Sequence, residues 1–238
     1  MRMRIVLTVS AIGLVGWPVS AWAYRPFDST DAAVADLHAI EIEWSPLSFA
    51  HGDKGSALIS PSLRLNYAFA DNWEVVLEGE ADHFTHGGSQ LSEAALSLKT
   101  VLREGSLQDK SGISLASEGS ILLPGIGTDD GAGFEWTGIA SQRWDWGTIH
   151  FNVAGMLTRE QKAGIFVGTI FEGPADWAVR PVAELNYERE FGIGEEFSGL
   201  IGAIWQLSEH LALDLAYRHA EVSKRPDEQF RAGVTFDL

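Results

Sequence analysis

Residues 229–238, QFRAGVTFDL, alternate without a break. Phe230, Ala232, Val234, Phe236 and Leu238 form one face, and Gln229, Arg231, Gly233, Thr235 and Asp237 form the other. Successive side chains of an extended chain point to opposite sides, so a period of two describes a strand between an apolar and a polar medium. The pattern recurs upstream. In 211–218, Leu211, Leu213, Leu215 and Tyr217 oppose Ala212, Asp214, Ala216 and Arg218. In 177–188, Trp177, Val179, Pro181, Ala183, Leu185 and Tyr187 oppose Ala178, Arg180, Val182, Glu184, Asn186 and Glu188. In both segments the charges keep to one face.

Shorter versions occur earlier. Ile40, Ile42 and Trp44 oppose Glu41 and Glu43; Leu63, Leu65, Tyr67 and Phe69 oppose Ser62, Arg64, Asn66 and Ala68; Trp73, Val75 and Leu77 oppose Glu74, Val76 and Glu78. Further strands are expected near 92–102, 113–122, 134–144, 147–158, 164–172 and 197–207. The total is twelve, with ten as the lower alternative.

Residues 1–23 read as a secretory signal peptide: Arg2 and Arg4 begin it, Ile5 to Val19 is mostly apolar, and Ala21-Trp22-Ala23 has the small-x-small cleavage pattern. A retained helix is the rival, but Gly13, Gly16 and Pro18 interrupt the run and it falls short of the roughly 20 residues a span needs. Later segments show no comparable apolar run, so membrane insertion would require strands whose backbone groups pair with one another in a closed ring. The chain contains no cysteine, which excludes disulfide staples and thiolate metal sites. The formal charge is -16, and losing Arg2 and Arg4 would take it to -18. That argues against nucleic acid or a bare anionic bilayer as partner.

These features predict an all-β fold: a transmembrane, antiparallel, up-and-down β-barrel over 37–238, behind a periplasmic N-terminal extension at 24–36 (YRPFDSTDAAVAD). The inner turns are expected at 70–72, 103–112, 144–147, 173–176 and 208–210. Outer loops, generally longer and rich in Gly, Asp and Glu, are expected at 83–91, 124–133, 189–196 and 220–228. Phe69, Trp73, Trp144, Trp146, Trp177 and Phe236 fall beside the inner turns or the C-terminus and would form an aromatic girdle at headgroup level. A soluble secreted sandwich or ligand barrel carries the same alternation with its apolar face inward. Strands of nearly ten residues, Trp clustered at one set of turns and termination on a strand favour the membrane barrel.

With the apolar face toward lipid, the lumen-lining set becomes Glu41, Glu43, Arg64, Asn66, Glu74, Glu78, Glu80, Lys99, Glu118, Arg143, Arg180, Glu184, Asn186, Asp214, Arg218 and Arg231. Both signs are present, so these side chains either fill a narrow barrel as an ion-pair network or line a path. An open lumen with this acidic excess would favour cations or neutral solutes.

The mature N-terminal RPFDSTDAAVA, the central ILLPGIGTDDGAGFEW, and WAVRPVAELNYERE leading into LIGAIWQLSEHLALDLAYRHA and FRAGVTFDL resemble the MetA-pathway of phenol degradation family of transporter-like outer-membrane barrels. The resemblance spans nearly the whole mature chain, through motifs that are loose singly and more diagnostic in their order. It implies about a dozen strands in the Gram-negative outer membrane and passage of small, often hydrophobic or aromatic compounds. Leu238 departs from the usual aromatic last residue, which implies either that Phe236 serves in its place or that recognition by the assembly machinery is weaker.

The expected function is therefore passive, porin-like transport of a small solute by a monomer set in outer-membrane lipid and lipopolysaccharide by the barrel-assembly machinery. No cofactor is expected. The alternatives are a non-conducting structural or surface-interaction barrel and a rim-located lipid hydrolase. For the hydrolase, His83, His86, Ser89 and Glu93 lie close in sequence, but HFTHGGS reads better as a polar loop and no compact His-x-Ser motif is present. The expectation is a protein that is not an enzyme. Gly125, Gly127, Gly131 and Gly133 lack the following Lys and helix of a phosphate cradle. Asp129 and Asp130 read as solvated loop charge, with a divalent cation bridging lipopolysaccharide as the alternative. The seven His have no ligand spacing, so no metal is expected.

Overall fold

The computed structural model describes residues 25–52, 55–85, 88–127 and 131–238. The expected leader, His86, Asp129 and Asp130 lie outside these residues. The strands are β1 (Ile40–Gly52), β2 (Gly55–Ala70), β3 (Trp73–Phe84), β4 (Ser89–Arg103), β5 (Ser114–Leu122), β6 (Gly133–Trp144), β7 (Gly147–Leu157), β8 (Ala163–Glu172), β9 (Val179–Glu190), β10 (Gly194–Ser208), β11 (Leu211–Val222) and β12 (Arg225–Asp237), with a 3-10 turn at Ser106–Gln108. Each strand pairs antiparallel with its sequence neighbours, and β12 returns to β1. The expected twelve strands close into a barrel.

Closure rests on the segment whose alternation is strictest. Phe236 pairs with Ile42, Val234 with Trp44 and Phe230 with Phe49, while Arg231 and Thr235 take Ser48 and Glu43 as neighbours on the other face. The main chains of Ile40 and Leu238 exchange two further hydrogen bonds of 3.1 and 2.9 Å. No sheet edge is left unpaired, which a strand wall in hydrocarbon demands.

Outward positions carry apolar side chains, among them Leu185, Ile201, Trp205, Leu215 and Phe230, all more than half exposed. Inward positions are mostly polar or small, with a few aliphatic side chains such as Val76, Ile139, Ile170, Val182 and Ile204 among them. Two prolines mark where the pattern changes phase. The β1–β12 register shifts between Trp44 and Leu47, around Pro46, and the β2–β3 register shifts between Ile59 and Ser62, around Pro61. An extra residue at each bulge swaps the faces, which is why alternation is weak in these stretches of sequence. Side chains patch the ladder there: Ser60 Oγ donates to the Pro46 carbonyl at 2.7 Å, and Ser45 Oγ to that of Ala232 at 2.8 Å.

The expected asymmetry of short inner turns and long outer loops is corrected. β9 and β10 are joined by 191–193 alone, and β11 and β12 by 223–224. The longest connections are one at each end, 104–113 and 123–132. Strands β2, β4 and β10 have 16, 15 and 15 residues, whereas about 9–11 suffice to cross a bilayer. The Gly-, Asp- and Glu-rich stretches continue the ladder beyond the apolar band, where both faces tolerate charge.

Leu215 is 65% exposed and lies within the apolar band of β11. Leu215→Arg should lower the unfolding free energy in liposomes by about 2–4 kcal/mol. Guanidinium titration followed by tryptophan fluorescence measures this, with Leu215→Ala as the size control.

Candidate functional site: the lumen and its N-terminal segment

Segment 25–36, expected as a periplasmic extension, runs inside the barrel. Its backbone is held by side chains from widely separated strands. The amides of Asp28 and Ser29 donate to Glu184 Oε2 and Oε1 at 2.9 and 2.8 Å. Thr30 exchanges hydrogen bonds with the Asn152 amide group, donating to Oδ1 at 3.2 Å and accepting from Nδ2 at 2.7 Å. The Ala32 and Ala35 amides donate to Ser141 Oγ at 3.0 Å and Glu74 Oε2 at 2.8 Å. An extended chain crossing a lumen has no ladder of its own, so each buried peptide group needs a partner of this kind.

The ion pairs are equally dispersed. Asp28 is gripped by Arg218 Nε at 2.7 Å and by Arg231 Nη2 at 2.6 Å, and Arg231 Nη1 also donates to the Pro26 carbonyl at 2.7 Å. Arg25 meets Asp214 at 3.3 Å, and Lys99 meets Asp31 at 3.2 Å. Burial alone would raise the Asp28 carboxyl above its ordinary 3.8, but the charges and hydrogen bonds of Arg231 and Arg218 outweigh it and hold the group at about 2. The latch is therefore complete above pH 3.8 and is lost only as the pH falls toward 2.

Small residues make room for the segment. A Cβ on Gly168 would strike Ser29 Oγ, and one on Gly233 would strike Arg25 Nε and the Asp214 carboxylate. Ala32 and Ala33 pack with Leu107, Ala116 and Ile139, while Phe27 packs on Val182, Ile204 and Ala212.

The sequence-predicted lumen residues all sit on inward faces. Glu41, Glu43, Asn66, Glu74, Lys99, Glu118, Arg180, Glu184, Asn186 and Asp214 are buried. Asn66 Nδ2 donates to Glu41 and Glu43, both at 3.0 Å. Arg64 reaches Glu78 at 2.7 Å, Glu43 at 3.5 Å and Glu118 at 3.6 Å. Arg180 pairs with Glu172 at 3.7 Å and Arg143 with Asp109 at 3.9 Å. Glu80, Arg218 and Arg231 border a cavity of about 840 Å³ whose floor is formed by Arg25 and residues 27–30. Its walls rise to Glu188, Glu190, Glu196 and Asp227, at the end of the barrel opposite the C-terminus. Sequence reasoning missed Glu135, Asn152 and His150, inward groups in segments without a charged alternation, and Glu190, which read as part of a loop. It also missed Arg25 to Asp31 as lumen residues.

Of the girdle set, Phe69, Trp73, Trp144, Trp146 and Trp177 are exposed on the outer surface. Trp144 and Trp146 stack at 5.2 Å. Phe236 is half-buried beside Ile42 and Leu211. For the hydrolase alternative, His83 Nδ1 lies 2.7 Å from Ser89 Oγ and its Nε2 lies 2.9 Å from the Ser60 carbonyl. Glu93 turns away to Arg159 at 3.0 Å, and no described carboxylate orients the imidazole. No group of three or more His, Asp or Glu among the described residues is placed to hold a metal.

No protein-family model matches the chain. No curated protein matches it either. Solved structures do. A COG4313 outer membrane channel from Pseudomonas putida F1 is 10% identical with a TM-score of 0.68, over 89% of this chain and all of that one. The NanC porin is 6% identical with a TM-score of 0.62, over 84% and 100%. The KdgM porin is 12% identical with a TM-score of 0.59, over 82% and 98%. At these identities the likeness is one of fold: this chain has the twelve-stranded barrel architecture of outer-membrane porins.

Asp28→Asn removes the charge that both guanidinium groups grip, and hydrogen bonds to charged groups are worth about 1.5–3 kcal/mol each. The chain has no cysteine, so Ala33→Cys gives a single buried probe, Ala33 being 5% exposed. Adding Asp28→Asn to it should speed thiol labelling in detergent micelles by about tenfold or more. An unchanged rate would mean that the latch does not hold the segment.

Proposed function

We propose that the protein is an outer-membrane pore for passive passage of small solutes, stoppered by its own N-terminal segment. The carrying observation is the nature of the obstruction. Beside the contacts among strand side chains, the lumen is crossed by a stretch of chain held through side-chain hydrogen bonds and ion pairs, below a polar cavity of about 840 Å³. Each such bond has a modest net value, so the segment is displaceable while the wall stays intact. A purely structural barrel has no need of an 840 Å³ cavity above its filling.

In this reading residues 1–23 are removed as a signal peptide, the barrel-assembly machinery inserts the mature chain among outer-membrane lipid and lipopolysaccharide, and it works as a monomer without catalytic activity. The exposed aromatic set anchors one end of the wall. The sequence motifs support kinship with the MetA-pathway of phenol degradation family and extend the solute class to hydrophobic or aromatic compounds. The carboxylate-rich cavity wall favours polar solutes over those.

Planar bilayer recordings test the pore. The full-length chain should show small or infrequent openings. Asp28→Asn, which frees the latch, and Gly168→Val, which crowds Ser29, should each raise open occupancy about tenfold, equivalent to roughly 1.4 kcal/mol of lost retention. Correctly folded barrels that stay silent in all three forms would overturn the reading.

A further inference from the structure

We propose that the cavity above the N-terminal segment is a binding vestibule for small organic cations, solutes bearing ammonium or guanidinium groups, and that the pore therefore passes cations in preference to anions. This rests on the pore reading given above and names its solute class.

Twelve carboxylates and five guanidinium groups border the cavity. Each guanidinium is already engaged: Arg25 with Asp214, Arg64 with Glu43, Glu78 and Glu118, Arg159 with Glu93, Arg218 with Asp28 and Glu196, and Arg231 with Asp28. Glu80, Glu135, Glu188 and Glu190 have no cationic side chain within ion-pair distance among the described residues. Glu188 also stands directly opposite Glu196 in the β9–β10 register. Like charges opposed across strands destabilise a sheet, and of this pair only Glu196 is compensated, by Arg218.

The independent observation is Glu118. Its residue is only 7% exposed, it borders the cavity, and although Oε1 lies 3.6 Å from Arg64, Oε2 has no hydrogen-bond partner. A buried carboxylate oxygen without a donor is costly. Glu118 Oε2 is shielded from the cavity, so a rotation of its side chain would present it to an entering ammonium or guanidinium group, which supplies the missing N–H donors and the positive charge that the free carboxylates lack. The cavity lining holds seven more carboxylates than guanidinium groups, and a cleft with such an excess of one sign focuses its field and concentrates counter-ions. The cavity falls in the size range of small-molecule pockets, about 300–1,000 Å³.

Two measurements on the full-length chain test this, with spermidine as the ligand probe and a KCl gradient as the permeation probe. In detergent micelles, calorimetry should show saturable spermidine binding, weakened about tenfold or more in Glu80→Gln/Glu135→Gln/Glu188→Gln. Glu188→Gln alone serves if the triple variant does not assemble, and should weaken binding severalfold. In bilayers the reversal potential should have the sign of potassium selectivity and move toward zero in the variants. No saturable binding, equal binding in wild type and variants, or chloride selectivity would each overturn the proposal while leaving a conducting pore. Silence of every latch-released form with spermidine binding intact would instead sink the pore and keep the vestibule.

Discussion

A backbone in hydrocarbon has no water to satisfy it, so every N–H and C=O of the wall must pair with another strand. That requirement fixes this structure. It forces β12 back onto β1 and assigns one face of every strand to lipid and the other to the interior. Once the apolar side chains have been taken outward, the interior inherits the charge. The molecule thus turns a globular protein inside out, and its organising problem becomes how to satisfy buried polar groups rather than how to pack an apolar core.

The interior answers with its own chain. Segment 25–36 brings peptide N–H groups and carbonyls to places where strand side chains would otherwise face one another across empty space. Glu184, Asn152, Ser141 and Glu74 come from four strands around the barrel, and each bonds the segment's main chain. Side-chain acceptors of both charged and neutral kinds recur along the path, so the segment needs no regular secondary structure. Small side chains on the wall, Gly168 and Gly233 above all, set how closely it approaches.

The wall was legible in the sequence because alternation is a local signal and a strand's two faces differ most when one meets lipid. The inward set read from Glu41 through Arg231 needed nothing more. Other features were illegible for identifiable reasons. Residues such as Arg189, Glu190, Glu195 and Glu196 read as loop by composition, yet they are ladder residues, since a strand above the apolar band gains hydrogen bonds without needing apolar side chains. The place of segment 25–36 depends on partners more than a hundred residues away, as with Ser29 and Glu184, and no period reports such a contact. The available hint was glycine at inward strand positions, which marks close approach of another backbone.

The acidic excess of the chain is divided between two environments. Toward the termini, carboxylates meet donors supplied by the protein: Glu74 takes the Ala35 amide, Glu184 takes those of Asp28 and Ser29, and Asp214 takes Arg25. Toward the opposite end the segment no longer reaches the wall, and Glu80, Glu135, Glu188 and Glu190 face a cavity instead. The same residue type therefore closes one half of the lumen and charges the other. The boundary is Asp28, whose carboxylate is held by arginines of β11 and β12 at the cavity floor. On the proposed reading, a cation that replaces the charge of Arg218 or Arg231 beside Asp28 would weaken the latch by the same contacts through which it binds. On that reading the proposed stopper and vestibule form one electrostatic system.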